Sequence, residues 1–509
     1  MPNPVFRALF SVLPGPHVLD MARQLSQAGW QIIATPDARD QLAASKIPVV
    51  SVADFNGVAE PYAFPPTLHA KMERALTEDC EYRIDLVYDL PYPLSQGNDV
   101  GGHTLLALAA KGNRIPVATE SDMQEVVCIL AAGKTLPDKR RRELVDKANA
   151  MAARHYIRLA AFGRPRRYWG TIQAYTRELQ NGENPYQVPT FLADAESEDP
   201  LALPRFRQVT GSPPCFTNLA DLDAILETLC RLTAAALPVF GSLFVVVAAK
   251  HGNACGIGVS QANPVEAIER ALWGNPQAIW GGEVIMNFPL TQPGAEALAV
   301  STVRAGRYGS GYWMLDVVAA PEMRPEAVAV LGKNPNRKLF VNPYLAEPKP
   351  QAALFARQIR GGALVQPPAD YLIDFEHLVW TGEGVSQAQQ LDLLIAWAAA
   401  YTGSVGGNEV ALAKNGQLLV MGGGPATIQA IESAVHRAHC IGNSLAGAAF
   451  AADAFFPFTD APDILCDAGA ACGVVPAGGR NHDKVAANFV ARGVRVGFIP
   501  EDKSGFCRH

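Results

Sequence analysis

The pattern of apolar and polar positions is most distinctive at residues 244–250, where an apolar run ends in a polar pair. Phe244-Val-Val-Val-Ala-Ala is typical of a strand buried on both faces. Lys250 and His251 follow, and then the turn-forming segment Gly252-Asn-Ala-Cys-Gly256. Because a strand end is a rigid mount and the loop beyond it meets ligands, this pattern predicts functional side chains here.

Strand and helix patterns alternate near the N-terminus. They predict strands at 6–10, 30–34 and 48–52, and a helix at 17–28 that ends at Gly29. This order indicates a parallel sheet covered by helices. A helical pattern follows from about residue 120 to 180.

Residues 205–509 again mix strand and helix patterns, with glycine turns between them. Asn184-Pro185 and the acidic, proline-containing stretch 194–204 indicate a connection between domains. A chain of 509 residues has room for two to four domains. We therefore expect an α/β protein with domains at 1–190 and 191–509.

Composition narrows the class of protein. Apolar residues make up 49% and charged residues 18%, as in an ordinary globular enzyme, and the net charge of -6 argues against a nucleic-acid partner. Nine cysteines without a CxxC motif suggest reduced thiols. Since neither a signal segment nor a membrane-length apolar run is present, we expect a cytoplasmic protein without a membrane partner.

The Lys250–His251 pair is the first candidate for chemistry. A lysine ammonium can stabilise a developing oxyanion, and an imidazole can take or deliver a proton near neutral pH. On spacing alone, an incidental polar cap at the strand end is the alternative.

Other sequence blocks carry a resemblance to a known family. They are Gly182-Glu-Asn-Pro-Tyr-Gln187, Lys250-His-Gly-Asn-Ala-Cys-Gly256, Ala267-Ile-Glu-Arg-Ala271 with Trp280-Gly-Gly-Glu-Val-Ile-Met-Asn287, and Asp453-Ala-Phe-Phe-Pro-Phe-Thr-Asp460. In this order, from about residue 6 to the C-terminus, the chain resembles the bifunctional AICAR transformylase/IMP cyclohydrolase family of purine synthesis.

The resemblance implies a fold and a reaction. The fold is a methylglyoxal-synthase-like parallel-sheet domain followed by two cytidine-deaminase-like α/β domains without zinc, and the chain lacks the H-x-E…C-x-x-C spacing of a zinc deaminase. The reaction transfers a formyl group from 10-formyltetrahydrofolate to an amine. It needs a base, matched by His251, and an oxyanion donor, matched by Lys250. Asn408 aligns with an asparagine that orients the formyl oxygen or the proton relay.

The resemblance also implies binding residues. Phe455 and Phe458 would pack the pterin ring, and Asp460 would accept from its polar atoms, because flat aromatic walls with one carboxylate suit such a ring. A plain core role for the phenylalanines is the alternative. The substrate-contacting residues that the resemblance implies are Asn253, Gly281 and Gly282. It also implies a homodimer with shared active sites, and some members of the family bind a potassium ion (K+) near the site.

The N-terminal loops depart from the family. Where the family has Ser-Thr-Gly-Gly-Thr for a phosphate, this chain has Ala34-Thr-Pro-Asp-Ala38, which loses a donor and gains a repelling charge. The loop at 11–15 and the basic segment matched by 64–69 are also altered. The positions that still match are Thr67, Tyr92, Asp99 and Lys111. We interpret them as inherited scaffold and predict that cyclohydrolase activity is absent.

Phosphate-binding arginines are also replaced in the second half. The family's arginines correspond to Gln180, to Ile428 and to a C-terminal position, and the cations that could compensate are Arg360 and Arg508. Losing one charge-assisted phosphate contact costs about 2–5 kcal/mol. The resulting hypothesis is a folate-dependent N-formyltransferase whose acceptor amine lacks ribose 5-phosphate.

Two alternatives remain. An ordinary bifunctional purine enzyme would have replaced its phosphate contacts with other cations. A non-catalytic scaffold would have no reason to keep Lys250, His251, Asn408 and Asp460 together.

Overall fold

The computed structural model describes residues 5–60, 65–92, 94–96, 100–162 and 168–507. It divides into two compact units, Met1–Gln173 and Ala174–His509. Among these described residues, no helix is long and apolar enough to cross a membrane.

The first unit is built on a parallel sheet. Its strands are β1 (Arg7–Ser11), β2 (Gln31–Ala34), β3 (Val49–Ser51), β4 (Leu86–Asp89) and β5 (Ile115–Val117). Its helices are α1 (Pro16–Gln27), α2 (Pro36–Ala44), α3 (Val52–Asn56), α4 (Ala70–Thr77), α5 (Gly101–Lys111), α6 (Glu120–Ala131) and α7 (Asp138–Ala161). The strand order is β3-β2-β1-β4-β5, and every pairing is parallel over the described residues. The predicted parallel sheet with covering helices is confirmed.

Helix α1 shows why the sequence pattern succeeded. It begins with Pro16, whose missing N–H is harmless in the first turn, and it buries Val18, Met21 and Leu25 at helical spacing. Gly29 follows it with φ 87°, a conformation that favours glycine.

The second unit opens with a hairpin where a helical pattern was predicted. The hairpin strands are β6 (Ala174–Leu179) and β7 (Thr190–Asp194). The prediction of helix up to residue 180 is therefore wrong at its end, because these residues pair across the hairpin and Tyr175 stacks on Phe191 at 4.8 Å. The predicted domain boundary at 190 and 191 falls within this hairpin.

The remaining strands are listed in chain order. They are β8 (Arg207–Thr210), β9 (Phe244–Lys250), β10 (Asn253–Ser260), β11 (Gly282–Met286), β12 (Leu315–Ala320), β13 (Lys338–Val341), β14 (Phe355–Ile359), β15 (Gly362–Gln366), β16 (Val379–Trp380), β17 (Asn408–Lys414), β18 (Gln417–Gly424), β19 (Ala449–Ala452), β20 (Cys472–Pro476) and β21 (Arg495–Ile499). Strands β14 and β15 form a separate hairpin. The others form one mixed sheet in the order β16-β21-β20-β19-β17-β18-β10-β9-β11-β12-β13-β8.

The helices of this unit cover that sheet. They are α8 (Phe216–Phe240), α9 (Pro264–Gly274), α10 (Gln292–Ala299), α11 (Thr302–Tyr308), α12 (Pro325–Leu331), α13 (Gln387–Thr402), α14 (Thr427–Ile441), α15 (Asp460–Asp467) and α16 (His482–Ala491). The strand predicted at 244–250 is β9, and the burial of Val245, Val246 and Val247 confirms that both of its faces are covered.

The mixed sheet consists of two similar halves that meet where β10 pairs with β18. Each half has an edge strand, a long helix, a hairpin, a second helix and then three parallel strands. In the first half these are β8, α8, β9–β10, α9 and β11 to β13. In the second they are β16, α13, β17–β18, α14 and β19 to β21. The expected pair of similar α/β domains is present as one duplicated sheet.

The two hairpin turns are built alike. His251 and Gly252 have φ 53° and 67°, and Asn415 and Gly416 have φ 55° and 74°. In the second turn, Asp392 on α13 accepts the backbone N–H of Asn415 at 3.0 Å and that of Gly416 at 2.7 Å. A buried carboxylate thus satisfies two amides that the hairpin leaves unpaired.

Replacing Asp392 with alanine should lower the free energy of unfolding by about 1–3 kcal/mol, since two turn amides lose their acceptor. Urea denaturation of the full chain measures this loss, and hydrogen exchange should be faster at Asn415 and Gly416. Glu432→Ala, an exposed acid on α14, is the matched control. Equal stability of the two variants would contradict the role given to Asp392.

Candidate functional site

The Lys250–His251 turn is held in an unusual backbone conformation. His251 has φ 53°, which is uncommon for a residue with a side chain, and its ring is exposed. Asp221 on α8 accepts the backbone N–H of His251. The imidazole is therefore mounted on a fixed turn and faces solvent, where it can meet a ligand.

Lys250 is fixed through its side chain. Its Nζ donates to the carbonyl of Gly281, and a Cβ at Gly281 would lie 2.9 Å from that Nζ. A Cβ at Gly282 would lie 2.4 Å from the carbonyl oxygen of Ala249. Packing against the Ala249 backbone thus requires glycine at Gly282, whereas at Gly281 the φ of 69° favours it. These structural roles stand beside the predicted substrate contact.

Asn253 joins the turn to the second half of the sheet. Its Nδ2 donates to the carbonyl of His251 at 3.0 Å, and its Oδ1 accepts from the backbone N–H of Ser404 at 2.8 Å. Ser404 belongs to the loop 403–407, which leads directly into Asn408. The structure thereby brings the lysine, the histidine and the asparagine of the sequence prediction to one edge of the sheet.

Asn408 is the first residue of β17 and is half-buried. Its Nδ2 donates to the carbonyl of Gly424 at 3.2 Å, and its Oδ1 accepts from Thr427 Oγ1 at 3.4 Å. The next residue of α14, Ile428, packs against the apolar core of this half. The position where the family has an arginine is therefore apolar and lies next to a residue that contacts Asn408.

A cavity of about 230 Å³ lies beside Asn408, with Glu409, Asp453 and Phe506 among its lining residues. Glu409 Oε1 accepts from the N–H groups of Gly406 at 2.7 Å and Gly407 at 3.2 Å. Its Oε2 is buried and has no hydrogen-bond partner in the described part of the chain. Asp453 Oδ1 accepts the N–H of Glu409 at 2.8 Å, and burial raises the pKa of Asp453 to about 7.

One buried oxygen of this cavity suits a cation such as the K+ that the sequence resemblance implies. Buried oxygen donors without a partner favour a hard cation over an empty space, and Glu409 Oε2 is such a donor. Over the described residues, no group of three or more His, Cys, Asp or Glu side chains is arranged to hold a metal ion.

The predicted pterin residues are exposed rather than core. Phe455 and Phe458 are 41% and 61% exposed, whereas Phe456 between them is buried and packs near Phe489. Asp460 is exposed, and its Oδ1 accepts the N–H of Ala461 at 2.8 Å. A plain core role therefore fits Phe456 and does not fit its two neighbours.

The sheet topology places these groups at the same edge. β9 ends there at Lys250, β17 begins there at Asn408, and β19 ends there just before Asp453. Phe455 follows two residues later and packs against Gly478 and Gly479. Among the described residues, no hydrogen bond or ring contact links Phe458 or Asp460 to the turn.

Sequence reasoning missed two acidic residues behind the turn, Asp221 and Glu283. Burial and the charge of Asp221 raise the pKa of Glu283 to about 8, and burial also raises the pKa of Asp221. A sequence signal existed for Glu283, because it is a charged residue within the buried strand Gly282–Met286.

Two of the predicted cyclohydrolase residues, Thr67 and Lys111, lie apart in the first unit. Thr67 is buried, and its Oγ1 would lie 2.8 Å from a Cβ at Gly101, which begins α5. Lys111 is the exposed last residue of α5, about 15 Å away along the helix. Tyr92 is half-buried, and Asp99 lies outside the described residues. The structure does not bring Thr67 and Lys111 together.

The fold and the site together define a two-unit α/β protein whose duplicated sheet presents a Lys-His turn at one edge, an arrangement suited to acyl-group transfer. Residues 109–437 match the model of the AICARFT/IMPCHase bienzyme family. The chain belongs to this family, which unites a formyltransferase and a cyclohydrolase of purine synthesis.

Relatives extend the similarity over nearly the whole chain. The bifunctional purine biosynthesis protein PurH of Caulobacter vibrioides is 28% identical over 544 residues, covering 96% of each chain. PurH of an Anaeromyxobacter species is 28% identical over 546 residues, covering 96% of this chain and 99% of its own. A solved structure described as ForH is 28% identical, covers 31% of this chain and 100% of its own, and has a TM-score of 0.28.

Asn253→Ala should loosen the link between the turn and loop 403–407, because both of its side-chain hydrogen bonds are lost. Hydrogen exchange at Ser404 should become faster, and the free energy of unfolding should fall by about 1 kcal/mol. The matched control is Gln417→Ala, at the corresponding first position of β18. An unchanged exchange rate at Ser404 would contradict this link.

Proposed function

We propose that this chain is a folate-dependent N-formyltransferase. It transfers the formyl group of 10-formyltetrahydrofolate to an amine that lacks ribose 5-phosphate, and it does not perform the cyclohydrolase reaction. The observation that carries the proposal is the shared sheet edge, where a fixed Lys250 and an exposed His251 are tied through Asn253 to the loop before Asn408. Family membership supports the formyl donor.

The proposed reaction needs no group beyond the two substrates and the side chains. The amine nitrogen bonds to the formyl carbon while His251 takes its proton, and Lys250 donates to the oxygen that becomes an oxyanion. The bond between the formyl carbon and N10 of the folate then breaks, the electron pair stays on N10, and His251 returns the proton there. The products are a formamide and tetrahydrofolate.

Two exposed rings support a donor site near this edge. Phe455 and Phe458 offer flat apolar faces, and Asp460 offers carboxylate oxygens for the N–H groups of a pterin. Asn408 is held by Gly424 and Thr427 in an orientation that can direct the formyl group.

The residues expected to bind the acceptor support an acceptor amine that carries no phosphate. Ile428 packs into the core, and Gln180 carries no charge with which to pair a phosphate. In the first unit, α2 begins with Pro36 and carries the exposed Asp37 in its first turn. A helix start that lacks one N–H and bears a carboxylate is a poor anion site.

Several finer features belong to the same proposal. A K+ ion would be held by the oxygens of Glu409 and Asp453 in the 230 Å³ cavity, where it would neutralise buried carboxylate charge beside Asn408. The active enzyme is a cytoplasmic homodimer whose active sites take residues from both subunits. Of the cations considered for an acceptor phosphate, Arg508 lies outside the described residues.

Separate substitutions of His251 and Lys250 test their proposed roles as base and oxyanion donor. His251→Asn keeps a residue type that tolerates positive φ, and we expect the transfer rate to fall by about 10²- to 10⁴-fold because the base is lost. Lys250→Ala should cost about 10²- to 10³-fold through loss of the oxyanion donor. Single-turnover deformylation of 10-formyltetrahydrofolate with a panel of amines, followed by mass spectrometry, measures both losses.

The second hairpin supplies matched controls for this experiment. Asn415→His and Lys414→Ala alter the corresponding positions at the opposite end of the sheet and should leave the rate unchanged. Activity equal to that of the unmodified chain in both Lys250→Ala and His251→Asn would instead favour a non-catalytic scaffold.

AICAR should be a poor acceptor, with kcat/KM about 30- to several-thousand-fold below that of Caulobacter vibrioides PurH assayed in parallel, because phosphate contacts are absent. Ile428→Arg combined with Gln180→Arg should raise kcat/KM for AICAR, whereas Gln417→Arg should not. Formyl-AICAR should give no IMP. AICAR turnover and IMP formation equal to those of the PurH control would establish the ordinary bifunctional enzyme.

A further inference from the structure

Two carboxyl groups lie behind the Lys250–His251 turn, and the proposed reaction uses neither directly. Asp221 accepts the backbone N–H of His251, and its carboxyl group lies close enough to that of Glu283 for their charges to interact. Glu283 is only 2% exposed, and its Oε1 accepts from Asn218 Nδ2 at 3.3 Å. Its Oε2 is buried and meets no N–H donor in the described part of the chain.

A single proton shared by the two carboxyl groups explains this arrangement. A half-buried and a buried carboxylate that lie close together repel each other, so one of them holds a proton. Burial and the adjacent charge of Asp221 raise the pKa of Glu283 to about 8. At neutral pH a protonated Glu283 can donate to the carboxylate of Asp221, and the pair then carries one negative charge.

The second half of the sheet shows that the turn does not need the second acid to fold. Asp392 is the sixth residue of α13, as Asp221 is of α8, and it alone caps the Asn415–Gly416 turn. The position that matches Glu283 is Ala449, since each residue pairs with the alanine that precedes the strand-end lysine. The extra acid is therefore present only in the half that bears His251.

We propose that Asp221 and Glu283 are positioning residues that share one proton, present a single negative charge to Lys250 and hold the backbone of His251. Their role in catalysis rests on the proposed formyl transfer, whereas the shared proton does not. One negative charge attracts the Lys250 ammonium without neutralising it twice over. A second charge would hold the ammonium towards the carboxylates and weaken its donation to an oxyanion.

Other titratable groups close to Asp221 and Glu283 could also contribute to a pH titration of this region. Lys250 and His251 lie on the turn side, and Asp316 faces Glu283 from β12. Cys255 faces it from β10, and burial raises the pKa of that thiol to about 12, so it stays protonated in the range of interest. Loss of the shared proton is thus the expected event near pH 8.

Nuclear magnetic resonance of the full chain with histidine labelled at Cε1 tests the shared proton without any substrate. The His251 signal, assigned with His251→Asn, should show an inflection near pH 8. Glu283→Gln, which can still donate to Asp221 but cannot ionise, should remove that inflection, and the control Asp316→Asn should keep it. An inflection that survives in Glu283→Gln, or is missing in the unmodified chain, overturns the proposal.

The pH profile of formyl transfer tests the positioning role with whichever amine of the panel is formylated. In the unmodified chain kcat should fall about tenfold between pH 7 and pH 9, because the shared proton is lost. In Glu283→Gln the ratio of kcat at pH 7 to kcat at pH 9 should fall to near one, whatever the absolute rate. An identical alkaline fall in both proteins overturns the positioning role, since a merely structural glutamate would leave it unchanged.

A second variant, Asp221→Asn, keeps the test valid if Glu283→Gln fails to fold. Asp221→Asn keeps an acceptor for the His251 N–H and a donor for an ionised Glu283, so it should also lack the inflection near pH 8. If no amine is formylated while the unmodified chain shows the inflection and both variants lack it, the proposed function fails and the shared proton stands.

Discussion

Backbone amides in a tight hairpin turn have no partner within the hairpin, and in the second unit a carboxylate on the preceding helix supplies one. In each half this acid is the sixth residue of the long helix that precedes the hairpin, Asp221 in one case and Asp392 in the other. The helix, the turn and the strands on either side of it are thereby fixed relative to one another. The placement of His251 in space follows from this one contact.

The duplication separates what the scaffold needs from what a reaction needs. Lys414 donates to the carbonyl of Ala446 at 2.6 Å, just as Lys250 donates to that of Gly281. Holding a lysine at a strand end is therefore common to both halves. The halves differ where one has His251 and Glu283, and these differences set the candidate site apart more sharply than the lysine does.

A second difference lies at the end of each hairpin that is far from its own turn; in the second half this end is beside Lys250 and His251. In the first half Asn287 Oδ1 accepts the N–H of Val245 at 2.8 Å, and in the second Asp453 Oδ1 accepts that of Glu409 at the same distance. The amide has been replaced by an acid, and an acidic neighbour has been added. Carboxyl groups therefore gather at the edge that holds the lysine and histidine.

The local pattern of apolar residues correctly predicted those helices and strands whose formation depends mainly on their own sequence. The apolar run at β9 and the helical spacing of α1 correspond to real elements, and their burial follows from period alone. The strand at Ala174–Leu179 was missed because its partner, β7, lies beyond a loop and tertiary pairing decided its state. Family resemblance supplied the candidate residues of the site.

The two acids behind the candidate site, Asp221 and Glu283, could be found only from the structure. Asp221 and Glu283 lie 62 positions apart by their numbers, and only the packing of α8 on β11 makes them neighbours. Two α/β domains of one type were expected, but their joining into one sheet with matching turns was not, because that arrangement resides in element order and in hydrogen bonds to the backbone, which many side chains can satisfy. Long-range polar contacts leave little trace in periodicity.

The seam between the halves has a consequence for motion. Val259 N–H donates to the carbonyl of Gly416 at 2.9 Å, and Asn443 Nδ2 donates to the carbonyls of both Gly274 and Leu419, at 3.0 Å and 2.7 Å. A hinge between the halves would have to break these contacts together. Any movement near the Lys250–His251 turn is then confined to short surface segments such as 403–407, while the strands beneath remain a rigid floor.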